Sequence, residues 1–257
     1  MKSHIAGLIV GLTLTSFAQA QVVVLDFTAT VASIKKEYGT PESGPAYMMN
    51  GALMSAGYTL RGTLSIDLNT RLPGGSAMGN YSYAFYEDNN GVANNGTRFS
   101  VDQTGYAYSS GPKPGTSFGV FDHVPGTGSD QFSASFMNGT DPANGKLETS
   151  ETASFSFEQA DGKMLGGHNA DGLPLLPAAL NFAGFSSATL NYRFADYINL
   201  PGSSHINSGY LVSANITSLA LHSTSPVPEP SAYLMLGAGT LVLGTSMRRR
   251  QRQGRKD

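Results

Sequence analysis

The side chains best suited to acid–base or metal chemistry near neutral pH are four histidines, His123, His168, His205 and His222. They lie far apart in the chain, and no pair has metal-ligand spacing. Asp122-His123 stands in a turn before Pro125. With a serine it would make a hydrolytic pair, but no G-x-S-x-G elbow occurs. Glu148 and Glu151, and Glu87 and Asp88, are neighbouring carboxylates of the kind a glycosidase uses as acid and base. Among sixteen acids on one domain such neighbours arise without chemistry. Two stretches, Glu87-Asp88-Asn89-Asn90 and Asn169-Ala170-Asp171-Gly172, offer hard oxygen ligands but match no EF-hand. They read as solvated turns, and no tight calcium site is expected. Tyr81, Tyr83, Phe85 and Tyr86 would stack sugar rings if exposed. Residues 81, 83 and 85 share one parity, which predicts a core-facing row and leaves Tyr86 as the outward candidate. The sequence thus assigns no catalytic residue, no metal ligand and no cofactor.

Composition narrows the classes further. The 257 residues carry a formal charge of −2, with no cysteine and no tryptophan. Without cysteine there are no thiol nucleophiles, no thiolate metal sites and no disulfides, so stability rests on core and backbone pairing. Residues 21–226 hold nine basic and sixteen acidic side chains, a net −7, because the cations gather in the tail. Phosphate neutralisation needs clustered cations, so a nucleic-acid partner is excluded for this region.

The elements that would position any site are strands. Val23, Leu25, Phe27, Ala29 and Val31 alternate with polar residues across 22–34, as a half-buried strand requires. Residues 58–69 repeat the pattern with Leu60, Leu64, Ile66 and Leu68 inside, and Leu72-Pro73-Gly74-Gly75 reads as a turn. Phe132, Ala134 and Phe136 form an inward row, as do Phe155 and Phe157, and then Leu190, Tyr192 and Phe194. Residues 35–57 read as a long connection, and 173–182 as a short helix or a buried strand. In the last strand Val212, Ala214 and Ile216 share one parity and Leu219 and Leu221 the other, which predicts a bulge near Thr217-Ser218. Ten or so short strands with glycine-rich turns predict an all-β fold, an antiparallel β-sandwich of jelly-roll type, over residues 21–224.

Both ends read as targeting segments. Residues 1–20 have a mildly basic start, an apolar core and the small-residue cleavage site Ala18-Gln19-Ala20, which predicts a signal peptide cut by signal peptidase. Residues 225–257 place Val227-Pro228-Glu229-Pro230 before an uncharged apolar stretch, 232–247. A basic tail, 248–256, begins with Arg248, Arg249 and Arg250. The prolines hold their neighbours extended. Sixteen residues at 1.5 Å each make a helix of about 24 Å, short of the ~30 Å hydrocarbon core. Snorkelling arginines and local thinning cover the difference. The basic end stays cytoplasmic by the positive-inside rule.

These three parts, in this order, resemble the PEP-CTERM sorting signal of Gram-negative bacteria. The resemblance covers about an eighth of the chain and implies an exosortase-type sorting enzyme as processing partner. It also implies inner-membrane anchoring until processing, then cell-surface or extracellular location, and association with exopolysaccharide. The expected function is an exported, non-enzymatic surface or matrix protein; the alternative is a secreted carbohydrate-active enzyme on the same scaffold. A cleft with convergent carboxylates or histidine would favour the enzyme.

Overall fold

The computed structural model describes residues 22–38, 46–47, 53–88, 91–110, 115–139, 149–165, 167–200 and 203–222. The chain divides into two units, 1–221 and 222–257. Of the second, only His222 is described. Segment 1–20, the motif 227–230, the apolar stretch 232–247 and Arg248 to Arg250 lie outside the described residues. Among the described residues no helix is long and apolar enough to cross a membrane.

The first unit is all-β and antiparallel. In chain order its strands are β1 (Val22–Tyr38), β2 (Ala46–Tyr47), β3 (Leu53–Met54), β4 (Thr59–Asp67), β5 (Gly74–Met78), β6 (Tyr81–Asp88) and β7 (Gly96–Val101). They continue with β8 (Ala107–Ser110), β9 (Thr116–Asp122), β10 (Asp130–Gly139), β11 (Thr149–Gln159), β12 (Ser187–Leu200) and β13 (Ser203–Leu221). Eleven join one sheet in the order β5-β6-β9-β10-β11-β12-β13-β1-β4-β7-β8, while β2 and β3 pair separately.

That sheet cannot be flat. Strands β8 and β9 stand eight positions apart in it, roughly 38 Å at the usual strand spacing. The chain from Ser110 to Thr116 spans at most about 22 Å fully extended. The sheet therefore curls, bringing its β8 end over its β10 region. Three contacts register the closure. Tyr108 of β8 donates its hydroxyl to Phe136 O of β10 at 3.0 Å. Phe99 of β7 meets Tyr192 of β12 edge-on at 5.4 Å, and Phe27 of β1 meets Phe155 of β11 at 5.1 Å. Two packed sheets were expected; one continuous sheet is found. Long β12 and β13 keep the ladder continuous, and bulges in β13 at Asn207 and Thr217 allow it to bend.

The core is the concave face. Val23, Leu25, Phe27, Ala29 and Val31 are buried, as are Leu60, Leu64, Ile66, Phe132, Ala134, Phe136, Phe155 and Phe157. Phe118, Phe132 and Phe157 stack in sequence at 6.0 Å across β9, β10 and β11, cross-strand aromatic pairing that stabilises a sheet beyond its buried area. The register of β1 on β13 shifts between Thr28, opposite Ser218, and Ala29, opposite Ile216, so Thr217 is the bulge residue. Its hydroxyl donates to Thr28 O. Leu219 is buried as the parity change requires, but Leu221 is exposed.

Other expectations need correction. Gly74 and Gly75 begin β5 instead of completing a turn, because they pair with Phe85 and Ala84. The first strand runs on to Tyr38. Residues 173–181 form neither strand nor helix, apart from an isolated bridge of Pro174 with His168. Leu176 and Leu180 are buried there, and a short 3-10 turn, Phe182–Gly184, follows with Asn181 Oδ1 accepting from Ala183 N.

Gly62 of β4 faces Phe99 of β7. A Cβ there would stand 2.0 Å from Arg98 O and 2.7 Å from Phe99 Cβ, whereas one on Gly74 would meet nothing within 4 Å. Gly62→Ala is expected to lower unfolding free energy by about 2 kcal/mol through overpacking. Gly74→Ala should stay within about 0.5 kcal/mol of the parent. Urea denaturation of the two variants checks the pair.

Candidate functional site

Strand β6 reverses the sequence-based expectation. Ser82, Ala84, Tyr86 and Asp88 are its buried side chains, and Tyr81, Tyr83 and Phe85 occupy the outer face. Tyr86, expected outside, is 4 % exposed. Its hydroxyl donates to Pro174 O at 2.9 Å, and burial raises its pKa. The inner face of β6 thus presents small side chains, Ser82 and Ala84, and one long phenol that reaches a carbonyl of the 173–176 stretch.

On the outer face the rings make a continuous strip. Centroids of Tyr81 and Tyr83 are 5.7 Å apart, and those of Tyr83 and Phe85 5.4 Å apart. Phe121 of β9, opposite Tyr83 in the ladder, lies 6.4 Å from Tyr83 and 5.8 Å from Phe85. Gly119 makes that placement possible: a Cβ there would come within 2.8 Å of Phe121 Cε2. Phe85 is 44 % exposed and Met78, on the edge strand, 58 %. Contiguous outward apolar surface of this kind marks a contact site more often than scattered single residues do. Aromatic faces stack on the apolar C–H faces of sugar rings.

Of the carboxylates named as acid–base candidates, Asp88 is engaged by backbone and Glu151 by tyrosine hydroxyls. A cleft of about 300 Å³ is lined by Asp67, Thr70, Arg71, Glu87 and Asp88, among others. Asp67 accepts from Asn69 N and Asn94 N, and Asp88 from Val92 N and Ala93 N. These bonds hold the turn after β4 and the loop after β6 and supply their N–H groups with acceptors. Asn169 does the same in the second loop, its Oδ1 accepting from Asp171 N and Leu173 N. Asn89, Asn90 and Glu148 lie outside the described residues. Glu151 is buried and accepts from the hydroxyls of Tyr106 and Tyr192, which also bond each other at 2.7 Å. Burial, with the neighbouring carboxylate, drives both phenol pKa values well above the usual range.

The histidines divide. His205 pairs with Ile198 in the β12–β13 ladder and His222 is exposed beyond β13. His123 and His168, 45 positions apart in sequence, meet on one carboxylate. Asp122 Oδ1 lies 2.6 Å from His123 Nδ1, and Oδ2 lies 2.9 Å from His168 Nε2. Fully buried Asp130 stands behind them and accepts from His123 N, Met164 N and Leu165 N. Burial works against the Asp122 carboxylate, but hydrogen bonds from the two imidazoles outweigh it and hold its pKa low. The hydrogen bond and charge of Asp122 raise that of His123. Burial, with Asp122 adding to it, raises that of Asp130 against the lowering by backbone N–H donors. No spacing rule finds this cluster, because topology alone brings 168 to 122.

Residues 226–250 match the PEP-CTERM protein-sorting motif. The motif implies an exported protein, held at the membrane until an exosortase-type partner processes it. Comparison with curated proteins finds no match, and comparison with solved structures finds none.

Removing the Glu151 carboxylate strands two buried phenols that bond to it. Glu151→Ala is expected to cost at least about 2 kcal/mol of stability, read as a lower midpoint in chemical denaturation. An unchanged midpoint would mean that the phenols had found water instead.

Proposed function

We propose that the protein is a non-enzymatic surface or matrix protein, delivered through its C-terminal signal and associated with exopolysaccharide. The match at 226–250 carries the delivery half of this reading. Signal peptidase would cut after Ala20. Val227 to Pro230 would present an extended peptide to the exosortase while 232–247 and Arg248 to Arg250 hold the chain at the inner membrane. Processing would then release the 21–224 domain to the surface or the matrix.

The outer strip of Tyr81, Tyr83, Phe85 and Phe121 supports the polysaccharide half. An outward row of rings, with Phe85 exposed and Tyr81, Tyr83 and Phe121 partly so, can lie along a polymer without enclosing it, as a matrix component needs. The carbohydrate-active enzyme reading finds less support. Asp67 and Asp88, two of the three acids that line the cleft with Glu87, accept hydrogen bonds from loop backbone.

Two outcomes test the halves separately. Replacing Pro228 and Glu229 with alanine leaves the apolar stretch and basic stop intact. The variant should accumulate in its host as a larger, membrane-bound species on immunoblots of fractionated cells. Release and shortening like the parent would reduce the motif to a spacer. Separately, a Tyr83→Ala/Phe85→Ala variant should lose at least about tenfold in co-sedimentation with exopolysaccharide extracted from the host, since base-like aromatic stacking contributes about 1–3 kcal/mol per ring. Unchanged co-sedimentation would remove the strip from the account.

A further inference from the structure

We propose that Asp122, His123, Asp130 and His168 form a binding site for one divalent transition-metal ion of the zinc type. The donors come from the end of β9, the start of β10 and the 163–176 segment, so the ion would tie three parts of the chain together. Donor atoms of Asp122, His123 and Asp130 all lie within 4.8 Å of one another. His168 Nε2 adds a second imidazole, 2.9 Å from Asp122 Oδ2.

The spacing suits a small ion. Zinc binds nitrogen and oxygen at about 2.0–2.2 Å in a tetrahedron, which places ligand atoms roughly 3.3 Å apart. The distances found straddle that value: 2.6 Å from Asp122 to His123, 2.9 Å from Asp122 to His168, and 3.9 Å from His123 Nδ1 to Asp130 Oδ1. Opening one hydrogen bond and narrowing one gap, each by under about 1 Å, would seat the ion on Asp122, His123 and Asp130. His168 stands outside that 4.8 Å group, so its partly exposed ring must swing inward to complete the set.

Rigidity and access are arranged as a metal site requires. Asp130 is fully buried and its carboxylate is fixed by three backbone N–H groups, an outer layer that orients a ligand before the ion arrives. The rings of His123 and His168 are about half and two-fifths exposed, so an ion can enter and the rings can turn. His123 is also the one described non-glycine residue with positive φ, 51°. That backbone state is uncommon for such residues, and here it accompanies the ring's position against Asp122. Two imidazole nitrogens among four donors favour zinc, nickel or copper over calcium or magnesium, which take oxygen sets.

The probe is zinc chloride titrated calorimetrically into chelator-treated mature protein. The expected result is one ion per chain with micromolar or tighter affinity and no saturable heat from calcium. His168→Ala and His123→Ala should each weaken zinc binding at least about tenfold, the scale of losing ligand support. Each variant should keep the parent melting temperature in chelator but lose the upward shift that zinc gives the parent. Cobalt(II) added to the unmutated protein gives a check independent of variant folding: visible bands of four-coordinate intensity are expected. No saturable zinc binding, zinc binding unchanged in both variants, or a purely six-coordinate cobalt spectrum would each overturn the site.

Discussion

The contact between Phe27 and Phe155 is the constraint on which the domain depends. The two strands that carry these rings are separated in the sheet by β12 and β13, roughly 14 Å of ladder, yet the rings touch edge-on. That is possible only on the inside of a tight curl. Once the sheet curls, a single concave face can serve as the whole core, and side chains from both ends fill it. The short links from β8 to β9 and from β6 to β7 then become feasible. A cysteine-free exported chain has no covalent staple, so this closure takes the place of cross-links in holding distant segments together.

Where burial is one-sided and the wall is lined by medium-sized side chains, sequence parity identified the core correctly. The rows in β1, β4, β10 and β11 are examples, and so is the bulge at Thr217, where the apolar parity changes between Ile216 and Leu219. Strand β6 broke the rule that aromatics at alternate positions face inward. Its inward residues include the small side chains Ser82 and Ala84, and Tyr86 is held inside through one hydrogen bond to Pro174. The legible signal was the small-and-polar parity, not the aromatic one. The meeting of His168 with Asp122 had no signal at all, because it is a product of topology across 46 residues.

The two ends of the account belong to different physics. The tail is a linear code of prolines, apolar length and positive charge, readable because none of it requires a tertiary fold. The domain's candidate surfaces exist only after folding: an aromatic strip outside β6 and β9, and a histidine–aspartate corner where β9, β10 and a long loop converge. An acidic, curled sheet with an aromatic outer face would fit the association with a polymer proposed above. Its buried carboxylates Asp67 and Asp88 hold loops, while Asp130 is held by backbone N–H groups at the proposed metal site.

The central structural claim is the facing of β6, since the exposed strip and the buried Tyr86 both follow from it. The absence of cysteine from the chain makes that facing directly measurable. Single cysteines placed at Tyr83, Ala84, Phe85 and Ser82 would be treated with a maleimide reagent in the folded protein, and labelling rates read by mass spectrometry. Rapid labelling at 83 and 85, with protection at 82 and 84 that disappears on denaturation, is the predicted result. Protection at 83 and 85 with rapid labelling at 82 and 84 would contradict it and return the aromatic row to the core.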